Sequence, residues 1–159
     1  MTGITLREAR EDDAEAVFAM LRDLARDVGE ADEFVSTLAD VRRDGFGPNP
    51  RYETILAELD GRPAGFMTFF PTYSTHKGRP CLCVDNFYVV PEARDRHVAR
   101  RLMARVCRLA AGRDCCRVEL KVRADNPARG FYESIGMAMT EELPYTIRDQ
   151  ALRDLAAED

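Results

Sequence analysis

The chain has 159 residues, 45% hydrophobic and 32% charged, which is the balance of an ordinary globular protein long enough to bury most of its apolar surface. A net charge of −5 argues against nucleic acid as the main partner. No apolar run approaches the roughly 20 residues that span a bilayer, and the start, MTGITLREAR, carries no apolar leader segment.

The first element is a short strand over Ile4 to Arg7. A helix follows, with Asp12 as its N-cap, Glu15 three residues on, and Val17, Leu21, Leu24 and Val28 at helical spacing. A second helix carries Phe34, Leu38 and Val41 and stops at Gly45, before the loop to Pro50. Tyr52 to Leu59 reads as a strand, Asp60-Gly61 as a hairpin turn, and Ala64 to Thr72 as the returning strand. After the loop Tyr73 to Gly78, Cys81 to Val90 forms the next strand of an antiparallel meander, with the polar pair Asp85-Asn86 in its middle.

A short charged loop after Pro91 opens into a helix near His97 or Val98, with Val98, Leu102, Val106 and Leu109 on one side and Gly112 at its end. The unpaired N–H groups at such a helix start favour phosphate. Arg117 to Val122 follows through this single helix, so it runs parallel to the Cys81–Val90 strand. Pro127 opens a helix that Gly136 stops. Met137 to Thr140 and Pro144 to Ile147 read as final strands, and Arg148 to Ala157 as a terminal helix. No composition shift or repeat divides the chain, so residues 1–159 are expected to form one domain.

The five cysteines, Cys81, Cys83, Cys107, Cys115 and Cys116, form no C-x-x-C pair, and His76 and His97 lack zinc-site spacing. No metal site is expected. An odd count of unpatterned cysteines points to reduced, buried thiols in a cytoplasmic protein.

The run Phe87-Tyr88-Val89-Val90-Pro91, then Arg94-x-x-His97-x-Ala99, then Asp125-x-x-Ala128-x-x-Phe131-Tyr132-x-x-x-Gly136, resembles the GNAT superfamily of acetyl-CoA-dependent N-acetyltransferases. Within it, Gly65-Phe66, FFPTYSTHKGRP and Asp85-Asn86-Phe87-Tyr88-Val89 are similar to the diamine (spermidine/spermine) N-acetyltransferase group. The resemblance implies an α/β (α+β) fold: a mixed, mostly antiparallel sheet, with a central parallel pair splayed around the cofactor and helices on both faces. It implies that the main chain of Phe87, Tyr88 and Val89 pairs with the pantetheine arm of acetyl-CoA. Arg94, Asp95, Arg96, His97, Val98, Ala99 and Arg100 would wrap the pyrophosphate, and Asp125, Asn126 and Ala128 would line its far side. Tyr132 takes the place of the general acid and Asp85 that of the catalytic carboxylate. Asn86, Asp27 and Glu119, with Asp85, are the implied contacts of the acceptor amine, and a homodimer through Tyr145 to Ile147 is implied by the same analogy.

These roles suit the chemistry. An alkylamine has a pKa near ~10.4 and must lose a proton before it attacks a thioester. A carboxylate serves that step, a backbone N–H freed by a break in the ladder near Asp85 steadies the oxyanion, and a tyrosine hydroxyl protonates the departing thiolate. The expected activity is acetyl transfer to a primary amine of a small molecule: a polyamine, a diamine or a lysine-like amino acid. A peptide or protein amine is the first alternative, and a divergent binding protein with weak or no catalysis is the second. The sequence departs from the superfamily at His97, where the phosphate loop has glycine, and at Asp125, where asparagine is usual. It departs from the diamine group at Asp85-Asn86, in place of a glutamate–aspartate pair, and at Val28, in place of an acidic residue that Asp27 and Glu30 flank.

Overall fold

The computed structural model describes residues 3–94 and 97–158. It divides into two compact units, Met1–Asn126 and Pro127–Asp159.

The first unit is built on a five-stranded sheet in the order β1 (Ile4–Glu8), β2 (Glu53–Leu59), β3 (Arg62–Ser74), β4 (Arg79–Val89), β5 (Val118–Leu120). The first four strands form the antiparallel meander expected from the sequence, and β5 joins β4 in parallel. The β2–β3 turn is set by Asp60 and Gly61, both at positive φ (52° and 77°), which is the conformation a two-residue type I′ hairpin demands.

Side chains alternate across the strands, so the sheet has two apolar faces. Leu56, Phe66 and Tyr88 lie side by side in register and pack with Ala14, Val17 and Met20 of α1 (Ala14–Asp27) and Val41 of α2 (Leu38–Phe46). Their neighbours Ile55 and Met67, also fully buried, point to the other face. There α3 (Val98–Gly112) crosses β2, β3 and β4 and buries Val98, Leu102, Met103, Val106 and Ala110. The second unit contains α4 (Arg129–Ser134) and α5 (Asp149–Ala156). Gly136 at φ 93° closes α4, with the Met137 N–H returning to the Tyr132 carbonyl at 3.0 Å.

Three local expectations are corrected. The first helix is not capped by Asp12. A 3₁₀ turn over Glu11–Asp13 precedes α1, and Asp13 accepts the Arg10 N–H at 2.7 Å. The cause is Arg7 on β1, whose guanidinium forks onto both Asp13 oxygens (2.7 and 2.8 Å) and also donates to Glu58 at 2.6 Å. Phe34 lies outside α2, which begins after Thr37, where Thr37 and Asp40 form a reciprocal capping box. Met137 to Thr140 and Pro144 to Ile147 are not strands. Apolar patterning makes a strand only where a neighbouring strand accepts its ladder, and Pro144 removes a donor from the second segment.

The Arg7 hydrogen bonds hold the Asp13 carboxyl below its ordinary range. A depressed carboxyl contributes stability above its unfolded value of about 3.9 and loses it as pH falls through the folded-state value. Arg7→Met should therefore destabilise the protein by about 1–3 kcal/mol in urea denaturation at pH 7, with the difference shrinking as the pH drops below about 4.

Candidate active site

The β3–β4 ladder changes register between Thr68 and Phe69: Thr68 opposes Asn86, and Phe69 opposes Val84. Asp85 is therefore the extra residue of a β-bulge, without a partner in the register, and it is exposed. The buried Thr68 hydroxyl holds the bulge. It accepts the Asn86 backbone N–H at 3.1 Å and the Asn86 side-chain amide at 3.0 Å. The same amide donates to Asp85 Oδ2 at 3.0 Å. Asn86 thus ties the carboxylate to the sheet. Thr68 was not among the residues singled out from the sequence. Its signal is the broken alternation at the polar pair Asp85-Asn86, which requires a polar group across the ladder.

The bulge sits where β4 and β5 part, at the edge of the described sheet. The parallel ladder runs Leu82–Val118, Cys83–Glu119, Val84–Leu120 and ends there, while β4 continues to Val89. Phe87, Tyr88 and Val89 occupy that extension. The Tyr88 side chain is buried in the core with Leu56 and Phe66, so this residue contributes its main chain to the open edge. Glu119 stands opposite Cys83 in the register and is held by Arg117 at 2.6 Å. Burial pushes the Cys83 thiol up, and Glu119 and Asp85 push it further, so both carboxylates act on this strand end. Tyr52, another residue the sequence did not mark, has its hydroxyl pushed up by burial and then by the charges of Asp44 and Asp85.

Beyond β4, Arg94 turns back. Its Nε donates to the Val89 carbonyl at 3.1 Å, Nη2 meets Asp27 at 2.7 Å, and the guanidinium lies 5.8 Å from the Tyr88 ring centroid. The structure thus joins Asp27, expected at the amine, to Arg94, expected at the phosphates. Asp95 and Arg96 lie outside the described residues. His97 caps α3 at φ 59°, ψ 13°, a left-handed conformation that glycine adopts without strain. Val98 is buried, Ala99 half-buried and Arg100 exposed. Asp125 pairs with Arg123 at 3.2 Å, and the neighbouring Asn126 N–H bonds the Arg123 carbonyl.

In the second unit, Ala128 is the N-cap residue of α4 and accepts the Tyr132 N–H at 3.2 Å. The Tyr132 ring packs edge-on against Phe131, and burial pushes its phenol above the usual range. Tyr132 therefore carries its proton at neutral pH.

A bulged strand beside a parting parallel pair, followed by a helix start, has the parallel pair that the sequence resemblance implies. Residues 14–137 match the Acetyltransferase (GNAT) family, and the chain belongs to that family. It is 27% identical to the thialysine N-epsilon-acetyltransferase of Bos taurus, over 98% of this chain and 99% of that protein. It is 26% identical to the spermidine/spermine N(1)-acetyltransferase-like protein 1 of Homo sapiens, over 82% of this chain and 20% of that protein. Among solved structures, an aminoglycoside N-acetyltransferase AAC(6')-Iy in complex with CoA superposes with a TM-score of 0.74 at 19% identity, covering 93% of this chain and 96% of that one. The protein is an acetyltransferase of the GNAT family, with the mixed, mostly antiparallel sheet of that fold.

The left-handed backbone at His97 sets a measurable order of stabilities. A residue with a Cβ costs about 1 kcal/mol there relative to glycine. His97→Gly should match or exceed the parent in urea denaturation, and His97→Ala should fall below His97→Gly by about 1 kcal/mol.

Proposed function

We propose that this chain transfers acetyl from acetyl-CoA to a primary amine of a small molecule, a polyamine, a diamine or a lysine-like amino acid, in a ternary complex. The observation that carries the reading is the bulge at Asp85, which sets an exposed carboxylate at the end of the parallel ladder, beside an open strand edge. The names of the bovine and human relatives, a thialysine and a spermidine/spermine-type acetyltransferase, favour the same acceptor chemistry.

The residues present fit an extended, phosphorylated co-substrate. The main chain of β4 from Phe87 to Val89 runs on past the end of β5 and offers a strand-like edge to the pantetheine arm. The start of α3 offers backbone N–H groups to the pyrophosphate. With Arg94 engaged by Asp27 and the Val89 carbonyl, phosphate binding rests first on these amides and on Arg100. Asp125, Asn126 and Ala128 complete the cofactor contacts in this reading. When bound, acetyl-CoA supplies an activated acetyl group and leaves as the free thiol.

Asp85 accepts the proton that the ammonium must lose, directly or through water, and Asn86 keeps the carboxylate oriented for it. Glu119 and Asp27 add negative charge that favours a cationic acceptor. Tyr132 holds the proton that the departing sulfur takes up. The chain acts in the cytoplasm as a homodimer.

Isothermal titration with acetyl-CoA tests the first step: the expected result is saturable binding, and none at millimolar concentration would overturn the reading. His97→Gly should tighten that binding by removing side-chain bulk at the phosphate loop. In a thiol-release screen over diamines, polyamines and lysine analogues, Asp85→Asn should lower kcat/KM by about 10²–10⁴-fold. Tyr132→Phe should lower turnover with little change in acetyl-CoA affinity. Equal rates for parent and variants would remove both residues from the chemistry.

A further inference from the structure

The sequence separates Cys81 and Cys116 by a whole helix, yet the fold brings their sulfurs to 3.3 Å. The parallel pairing of β4 and β5 does this. The Cys116 N–H donates to the Pro80 carbonyl at 2.9 Å and the Leu82 N–H donates to the Arg117 carbonyl at 3.1 Å, so Cys81 and Cys116 face each other across adjacent segments of the one chain. Adjacent strands run about 4.8 Å apart, within the 4.4–6.8 Å span of Cα atoms that a disulfide bridges. A bond needs the sulfurs about 1.3 Å nearer, a movement that rotation about the two Cα–Cβ bonds supplies.

We propose that Cys81 and Cys116 form a reversible oxidation site, closed to a disulfide by small-molecule disulfides and reopened by small-molecule thiols. Cys116 is partly exposed and Cys81 is fully buried, which assigns the opening step to Cys116. Burial also pushes the Cys81 thiol up, making it the poorer first nucleophile. The Cys116 thiol gives up its proton and its sulfur attacks one sulfur of the oxidant. The oxidant's S–S bond breaks, and half of it leaves as a thiol carrying a proton. Cys81 then loses its proton and attacks the Cys116 sulfur, expelling the second half as a thiol. Two protein thiols are oxidised, one small disulfide is reduced to two thiols, and the protons balance.

The bond would close a ring over residues 81–116, enclosing all but the first two residues of β4, the loop after it and α3. It ties the amino ends of β4 and β5 and leaves free their carboxyl ends, where the strands part. Such a ring restricts the unfolded chain and stabilises the folded one. The cysteines carry no part of the proposed acetyl transfer, so this site stands apart from that reading.

The test uses the full chain, incubated with excess glutathione disulfide, alkylated and mapped by peptide mass spectrometry without reduction. The expected result is loss of two of the five thiols, a single linked peptide pair carrying Cys81 and Cys116, and reversal by dithiothreitol. The Tm of the oxidised form should rise by roughly 5–10 °C over the reduced form. Cys116→Ser and Cys81→Ala should each lose the linkage and the Tm rise, and Cys115→Ser should keep both. A linkage through Cys115 or Cys107, a stable glutathione adduct on Cys116 with no closure, or an unchanged Tm on closure would overturn the proposal. The mapping on the parent protein decides the pairing even where a variant does not fold.

Discussion

One change of register organises the site. Where Thr68 opposes Asn86 and Phe69 opposes Val84, β4 has one residue more than β3 can pair, and that residue is Asp85. The extra residue turns a strand interior into a place where a carboxylate reaches solvent while its neighbours stay in the sheet. The Thr68 hydroxyl makes the arrangement affordable, because it takes the Asn86 backbone N–H that the disturbed ladder would otherwise leave unsatisfied. Asn86 in turn bonds Asp85, so the position of the carboxylate is inherited from the core. Just at this point β5 ends, and the edge of β4 opens for the residues that follow.

The second constraint is the return of the chain from β4 into α3. Arg94 is pinned to the Val89 carbonyl and to Asp27 of α1, which fixes the direction in which the chain leaves the sheet. The chain then reaches α3 through His97 in a left-handed conformation. A histidine there carries strain that glycine would not, yet Val98, Leu102 and Val106 are fully buried on the sheet and hold the helix in place. The packing of α3 against β2, β3 and β4 thus determines the backbone at its start.

Most elements were readable from spacing. The apolar stripe of α3, the Asp-Gly turn between β2 and β3, and the single-helix crossover into a parallel β5 all follow from local periodicity and chain chirality. The failures were of two kinds. Competing local donors and acceptors changed the helix starts: Asp13 is engaged by Arg7 and the Arg10 N–H in a 3₁₀ turn before α1, and Thr37 with Asp40 started α2 later than the apolar pattern suggested. Missing neighbours removed the last two strands, because alternation describes a face but does not provide a partner ladder.

The sequence by itself determined the class of the protein. Its ordered motifs from Phe87 to Gly136, and its hydrophobic periods, carry the acetyltransferase family and the mixed sheet. Only the tertiary structure decided that Asp85 is the extra residue of a bulge held by Thr68, that Asp27 grips Arg94, and that Cys81 meets Cys116. Each of these depends on the register between strands or on contacts between distant elements, and a register is set by the packing of whole faces. No local pattern of residue types contains that information.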